Sequence, residues 1–381
     1  MFWEFVGSKQ TPLLVFLNII VVFLLYRTLR PVLANNYYVS ETKCKYIWLV
    51  ILVFCIFSFW GTDWYGYLLY YERVKSGWSE HVPMEDFYVW LMDVLPSYLL
   101  FRIIVWGAAI VLLRRTLINV NIRQDLFLFF FSSISLIWFA YARASLAMAI
   151  MYCGTSYLYA SNSNIGKRTI YTIIGVSLIV ASFFFHKSAI IGIGALALAI
   201  VLHKLSSRNG IILLLCLFPF AILLVQSVFA DLFASVLEDD GNILNEYANA
   251  GSSYLESAKY QQGWGIIVQH LLEWLPSYYL SYVCLKAMSS ESQYITKDMK
   301  LMMYTLCAMV FVASIFYFDI GYNTRTVFVR MMRYTQIPLC ICLAYLYQND
   351  LYVKDLKRII KIAIFGSFYA LIYMMYNTFY Y

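Results

Sequence analysis

Long apolar stretches, separated by short polar segments, follow one another along the whole chain. Stretches long enough to cross a bilayer core of about 30 Å, which takes roughly 17–25 helical residues, can be placed about 12 times. They lie at 12–30, 44–60, 96–113, 125–141, 143–160, 169–185, 187–204, 210–229, 264–285, 300–317, 329–347 and 361–379. The pattern therefore predicts an all-α, polytopic integral membrane protein with about 12 transmembrane helices in a single domain of residues 1–381.

The composition agrees with a membrane protein. Of the 381 residues, 62% are hydrophobic and 13% are charged, and the mean hydropathy is +0.70. Soluble domains are only about 45–50% apolar. The first stretch has no basic segment before it and no small-residue cleavage site after it, which favours a retained span over a signal peptide. The eight cysteines lie mostly inside apolar stretches without zinc or redox spacing, so we expect them to be packing residues.

The charges of the connecting segments predict the orientation of the chain. Alternate connections hold most of the 28 Lys and Arg residues, and the positive-inside rule assigns these connections to the cytoplasm. More than half of the 21 Asp and Glu residues fall in two long segments, 61–95 and 230–263. We therefore expect these segments to be larger extracytoplasmic loops, the first with amphipathic segments, and both termini to lie outside. The chain contains no glycine-rich nucleotide motif and no nucleic-acid-binding pattern, so ATP-driven transport and nucleic-acid partners are not predicted.

Four groups of charged residues interrupt the apolar pattern where a span begins or ends, and the threading places all four at the outer face. They are Asp63; Arg143; His186 with Lys187; and Arg325, Arg330 and Arg333. Most of the basic groups lie at or near predicted helix N-termini, where free N–H groups and the helix dipole favour anions. Arginine also suits forked binding of phosphate oxygens. The pattern predicts a phosphate or pyrophosphate site, with snorkelling arginine anchors as the structural alternative.

Three residues are candidates for proton transfer. His186 follows a run of phenylalanines and, as a histidine, titrates near neutral pH, so it is a candidate base or phosphate donor. Asp63 and Glu85, both in the first outer loop, are rival bases. The structural alternatives are an interfacial histidine in a tight turn and solvated loop acids. No histidine or cysteine has the spacing of a metal site, so no metal and no cofactor are predicted.

Several short motifs, taken in order, resemble those of the EpsG-like and Wzy-type bacterial polysaccharide polymerases. They read Asp63-Trp64-Tyr65-Gly66-Tyr67-Leu68-Leu69-Tyr70, Glu85-Asp86-Phe87-Tyr88, Arg143-Ala144-Ser145-Leu146-Ala147, His186-Lys187-Ser188-Ala189, and the arginines from Arg325 to Arg333. The resemblance extends from about residue 60 to residue 335. It departs from the family after Glu85, where relatives often carry Pro-Gly.

The resemblance implies a metal-independent glycosyltransferase at the outer, periplasmic face of the bacterial inner membrane. Its substrates would be oligosaccharide repeat units on undecaprenyl diphosphate, as donor and acceptor, in O-antigen, capsule or exopolysaccharide synthesis. Membrane lipids and a chain-length regulator are the other partners that the resemblance implies. The implied catalytic residues are His186, Asp63, Glu85 and Arg143, and the implied diphosphate-binding residues are Arg143, Arg325, Arg330, Arg333 and Lys187. A flippase of the same glycan, an outer-face O-antigen ligase and an acyltransferase remain open as alternatives.

Overall fold

The protein is helical throughout the part of the chain that the structure, a computed structural model, describes. This part consists of residues 12–34, 37–57, 63–79, 82, 84–139, 144–159, 165–205, 207–224, 264–318 and 324–380. Within it there is no β-strand, as the sequence predicts. Long, mostly apolar helices follow one another through short connections, because helices satisfy their own backbone hydrogen bonds in a lipid environment.

The helices, in chain order, have the following bounds. They are α1 (Pro12–Leu29), α2 (Glu41–Phe57), α3 (Asp63–Lys75), α4 (Asp86–Val94), α5 (Tyr98–Asn119), α6 (Gln124–Phe130), α7 (Leu136–Phe139), α8 (Ala144–Tyr159), α9 (Ile165–Phe185), α10 (Ala189–Lys204), α11 (Ser207–Leu224), α12 (Trp264–Ser290), α13 (Lys297–Phe318), α14 (Thr324–Gln348) and α15 (Val353–Tyr380). A π-helical turn, Phe131–Ser135, joins α6 to α7. Two short 3₁₀ segments, Arg30–Leu33 and Ser292–Tyr294, follow α1 and α12.

Among the described residues, helices lie over the stretches that the sequence marks as spans, and three of these helices are by themselves long and apolar enough to cross a membrane. The three apolar windows are Phe16–Leu33, Arg168–Phe185 and Lys297–Ile315. Two more apolar helices, Ala144–Leu158 and Gly192–Lys204, are shorter. The chain is therefore a helical membrane protein, while the number of about 12 spans stays a prediction. The predicted loop 230–263 lies outside the described residues.

Four connections meet at one end of the bundle, which we call the Arg123 end. The Arg123 guanidinium donates to the carbonyl of Tyr37 at 3.0 Å, and the Arg123 backbone N–H donates to the side-chain carbonyl of Gln348 at 3.0 Å. The Tyr345 hydroxyl donates to the carbonyl of Tyr294 at 3.0 Å. These bonds join the connections that follow α1, α5, α12 and α14, so these helices all end on one side. The sequence assigns the same connections to one face.

Helix α14 lies in the centre of the bundle. From Met331 to Leu346 its side chains are buried, apart from the half-buried Arg333. Helix α13 packs along it and is also largely buried. A helix that is surrounded by others has no lipid-facing stripe, so a charge on it must face a protein cleft or another polar group. Arg333 is therefore a functional candidate by its position alone.

Helices α8 and α9 form a close hairpin through two facing glycines. A Cβ atom added to Gly154 would lie 2.6 Å from the carbonyl oxygen of Gly175, and one added to Gly175 would lie 2.8 Å from that of Gly154. Only glycine permits this distance, because small residues let helix backbones approach each other closely in a membrane. This hairpin holds α9, which His186 follows, closely against α8.

The segment 61–95, predicted to be an outer loop with amphipathic parts, contains the two short helices α3 and α4. The Tyr71 hydroxyl on α3 donates to the carbonyl of Leu95 at 2.8 Å, and Lys75 donates to the carbonyl of Asp93. Burial raises the pKa of Tyr71, so its hydroxyl remains a neutral donor. These two hydrogen bonds therefore hold the segment together as one structural unit.

Candidate active site

Glu85 stands immediately before α4 and points its side chain into the protein. A residue at this N-cap position often accepts a hydrogen bond from its own helix, but the Glu85 side chain makes no such bond. Its carboxylate instead reaches the turn between α9 and α10. There the Oε1 atom lies 2.6 Å from Nδ1 of His186 and accepts from the backbone N–H of Lys187 at 3.4 Å. The loop is thus joined to the bundle through one carboxylate.

The Glu85–His186 pair is almost fully enclosed. The side chains are 8% and 11% exposed, respectively. A buried carboxylate and a buried imidazole each cost free energy unless they are hydrogen-bonded, and the 2.6 Å contact provides that bond. The structure therefore brings together two of the three candidate proton-transfer residues, which are 101 positions apart in the chain.

The direction of this hydrogen bond determines what the imidazole can do. When the Glu85 carboxylate is ionised, it only accepts hydrogen bonds, so in the neutral imidazole Nδ1 carries the ring proton and Nε2 does not. A carboxylate in this position also stabilises the imidazolium that forms when Nε2 takes a proton. The pair has the arrangement of a general base and its orienting acid.

Packed aromatic rings fix the positions of Glu85 and His186 relative to each other. The ring of Phe87, on α4, lies 4.2 Å from the ring of Phe185, the last residue of α9. Tyr88 also contacts Phe185, at 6.5 Å between ring centroids, and Phe101 of α5, at 6.2 Å. Phe87 and Tyr88 follow Glu85, and Phe185 precedes His186, so packing of these rings sets the position of the hydrogen-bonded pair.

Tyr334 connects the histidine turn to the central helix α14. Its hydroxyl lies 3.2 Å from Oγ of Ser188, two residues after His186. Its carbonyl accepts from the Tyr152 hydroxyl at 2.5 Å. Pro338, inside α14, has no N–H and so leaves this carbonyl without its helical donor. Sequence reasoning missed Tyr334 and Tyr152, although a proline four residues after Tyr334 is a usable signal for a carbonyl that needs an outside partner.

The helix start near the arginines differs from the sequence prediction. The span predicted at 329–347 put Arg330 and Arg333 at or near a helix N-terminus, whereas α14 begins at Thr324. Arg333 is thus its tenth residue, about 14 Å along the axis at 1.5 Å per residue. Only the first four N–H groups of a helix are free, so the helix-dipole argument was wrong for Arg330 and Arg333. The Arg333 side chain lies half-buried within the bundle, next to Tyr334 in the chain.

Several predicted site residues are not described by the structure. Arg143 lies outside the described residues, just before α8. Asp63 begins α3, and Arg325 and Arg330 belong to α14, but their side chains are not among those described. The roles predicted for these four residues therefore stay predictions. Lys187 lies in the histidine turn and is half-buried.

Arg102, a charged residue inside the predicted span 96–113, has structural partners. It is buried in α5, and its guanidinium donates to the carbonyl of Cys55 at 2.8 Å and to the Tyr98 hydroxyl at 3.3 Å. Cys55 lies in the last turn of α2, where carbonyl groups and the negative end of the helix dipole attract cations. Arg102 thus fastens the end of α2 to α5. Glu273, a charged residue inside the predicted span 264–285, lines a small, mostly apolar cavity together with Gln336 and Ser367.

The described residues contain no group of three or more His, Cys, Asp or Glu side chains that could hold a metal ion. The fold and the enclosed acid–histidine pair, next to a central helix that bears Arg333, define a helical membrane protein with a polar site where a loop meets the bundle. The chain belongs to the EpsG family, whose sequence model matches residues 43–381. Membership in this family indicates a membrane protein of the polysaccharide polymerase type. No curated protein and no solved structure matches the chain.

Proposed function

We propose that the protein polymerises oligosaccharide repeat units carried by undecaprenyl diphosphate at the outer face of the bacterial inner membrane. The family supports the polymerase class. The observation that carries the proposal is the buried Glu85–His186 pair, since glycosyl transfer to a sugar hydroxyl needs a group that takes the hydroxyl proton.

In the proposed reaction, a sugar hydroxyl of one lipid-linked unit attacks the anomeric carbon of the growing chain. The new glycosidic bond forms as the bond from that carbon to the diphosphate oxygen breaks. The hydroxyl proton passes to Nε2 of His186, and Glu85 stabilises the imidazolium. Undecaprenyl diphosphate leaves with the electron pair of the broken bond, and the proton is later released to water.

Cationic side chains stabilise the charge that develops on the leaving diphosphate. Arg333 suits this role because it is the half-buried charge in the otherwise buried run of α14 and because its neighbour Tyr334 contacts the histidine turn. Arg143, Arg325, Arg330 and Lys187 are proposed to complete the diphosphate site. Guanidinium groups match phosphate oxygens in forked geometry, and they carry charge at every physiological pH.

The test uses the purified full chain in lipid nanodiscs with a lipid-linked repeat unit and no ATP. We expect ladders of longer lipid-linked glycan, and we expect His186→Ala to lose roughly 10²- to 10⁴-fold in rate. His203→Ala is the matched control, because His203 lies in the last turn of α10, at the far end of that helix. It should polymerise at the wild-type rate.

The outcomes separate the rival functions. Transfer of the glycan to a different acceptor in place of ladders would indicate a ligase. Movement of the intact lipid across vesicles without polymer would indicate a flippase. Either result, with folded wild-type protein, would overturn the polymerase assignment.

A further inference from the structure

Helix α4 keeps an apolar edge exposed at the rim of the bundle. Trp90 and Val94 are 56% and 58% exposed, and residues four positions apart lie on the same side of a helix. The half-buried ring of Phe87 lies 5.8 Å from that of Trp90 and extends this edge. Phe87, Trp90 and Val94 together are called the apolar edge of α4. A large exposed apolar edge indicates a contact with another apolar surface.

The other sides of α4 face protein and water. Tyr88, Leu91 and Met92 are buried. Asp86 and Asp93, about two helical turns apart and so on one side, are exposed. At about 100° per residue, the apolar edge lies between the buried side and the acidic side. A helix divided in this way, with a tryptophan on its apolar edge, is typical of the boundary between membrane and water.

The apolar edge adjoins the lipid-facing side of α9. Ile173, Val180 and Phe184 are 61%, 53% and 64% exposed, and their spacing places them on one side of this helix, which is long and apolar enough to cross a membrane. Phe185 follows Phe184, and its ring lies 4.2 Å from that of Phe87. The apolar surface that α9 presents to lipid therefore continues onto α4.

The length of α9 gives the depth of this surface. Helix α9 has 21 residues, which extend over about 31 Å at 1.5 Å per residue, close to the thickness of a bilayer core. It begins near the Arg123 end, because Asn119, in the last turn of α5, donates to Ser156, in the last turn of α8, at 2.9 Å. Phe185, at the other end of α9, therefore lies at the opposite boundary of the core, and the apolar edge packs there.

We infer that the apolar edge of α4 is a membrane-docking surface. Its partner is the headgroup layer of the lipid leaflet opposite the Arg123 end, the outer leaflet in the proposed orientation. The acidic side of α4 then faces water. Glu85 immediately precedes α4, so the docked helix holds the Glu85–His186 pair at the depth of the headgroups. Under the proposed function, on which this last step rests, the diphosphate of a lipid-linked donor lies at the same depth and reaches the pair from within the membrane plane.

The test measures the depth of α4 in the purified full chain, in lipid nanodiscs and in a Cys216→Ser background, which removes the exposed cysteine among those described. A small fluorophore is attached to Trp90→Cys or to Val94→Cys. Asp86→Cys and Asp93→Cys are the matched controls, since both lie on the acidic side of the same helix. We expect lipids with a nitroxide at the headgroup to quench the fluorophore at positions 90 and 94. Iodide in the water should instead quench it at positions 86 and 93.

Two outcomes would overturn the inference. Quenching by iodide at positions 90 and 94 that is as strong as at positions 86 and 93 would show that the apolar edge faces water. Quenching by neither agent at positions 90 and 94 would show that protein covers the edge, such as a second copy of the chain. If Trp90→Cys does not yield folded protein, Val94→Cys carries the test alone. A wild type that makes no polymer would refute the proposed function and leave the docking result unchanged.

Discussion

Glu85→Gln is the most informative single change, because it removes one charge from the enclosed pair and almost nothing else. The amide has nearly the same shape as the carboxylate, so the aromatic packing of Phe87 on Phe185 should remain. However, an amide can donate a hydrogen bond to Nδ1. The proton of the imidazole then moves to Nε2, which can no longer accept the proton of a sugar hydroxyl.

The size of the effect follows from the geometry. The Glu85 and His186 side chains are 8% and 11% exposed, and Oε1 of Glu85 lies 2.6 Å from Nδ1 of His186. Solvent therefore screens the attraction between the carboxylate and the imidazolium only weakly. Two unit charges about 4 Å apart attract each other by roughly 4 kcal/mol at an effective dielectric constant near 20. This lies within the roughly 2.7–5.4 kcal/mol that correspond to a 10²- to 10⁴-fold contribution of a positioned base. We therefore expect kcat to fall by about 10³-fold.

The assay is the initial rate of ladder formation with purified protein at saturating lipid donor. Stability should change far less than the rate, because one hydrogen bond to a charged group contributes only about 1.5–3 kcal/mol and the amide retains part of it. Asp86→Asn is the matched control, since Asp86 is the exposed neighbour of Glu85 and should be silent. A folded Glu85→Gln protein with a kcat within threefold of the wild type would refute the reasoning.

Three other changes test the packing and the topology. Tyr152→Phe should lower stability by about 1–3 kcal/mol, measured by thermal unfolding in detergent, because the Tyr334 carbonyl loses its donor; Tyr157→Phe, whose hydroxyl accepts from the exposed Arg115, should be nearly neutral. Gly154→Val should destabilise the protein by about 1–3 kcal/mol or prevent folding, because the side chain would meet the facing helix. Gly107→Ala is the control, since the space around Gly107 is open. Equal unfolding temperatures for the two variants would contradict the close hairpin. The orientation can be tested in a Cys216→Ser background, which removes the exposed cysteine among those described. A membrane-impermeant thiol reagent added to whole cells should label Trp78→Cys but not Lys354→Cys. The reverse labelling pattern would invert the proposed orientation.

Much of the site was accessible from the sequence because charge in an apolar chain is conspicuous. His186 and Arg333 are readable as interruptions of the apolar pattern, and Glu85 is readable as an acid of the first predicted outer loop. The pairing of Glu85 with His186 was not readable, since Asp63 was an equal rival base and no local pattern links positions 101 residues apart. Tyr334 and Gln336 were missed because they lie inside a span and look like ordinary polar members of an apolar helix.

The start of α14 also could not be predicted from the sequence. The hydropathy pattern placed the start of the eleventh span at residue 329, because arginines lower the local average, while α14 begins at Thr324. Helix propensity and backbone hydrogen bonding continue through charged residues that face a protein cleft, so hydropathy underestimates such a helix. The position of Arg333 within α14 was hidden for this reason.

The sequence alone determined that this chain is an all-helical membrane protein, because apolar length and charge bias depend only on the residues and on the thickness of the bilayer. It also marked the residues that cost free energy in a membrane and therefore need partners. Only the tertiary structure decided which partners those are: Glu85 for His186, the end of α2 for Arg102, and Tyr152 for the carbonyl that Pro338 leaves open. Such pairings depend on how helices distant in sequence cross and face each other, and a single sequence contains no local record of these distances.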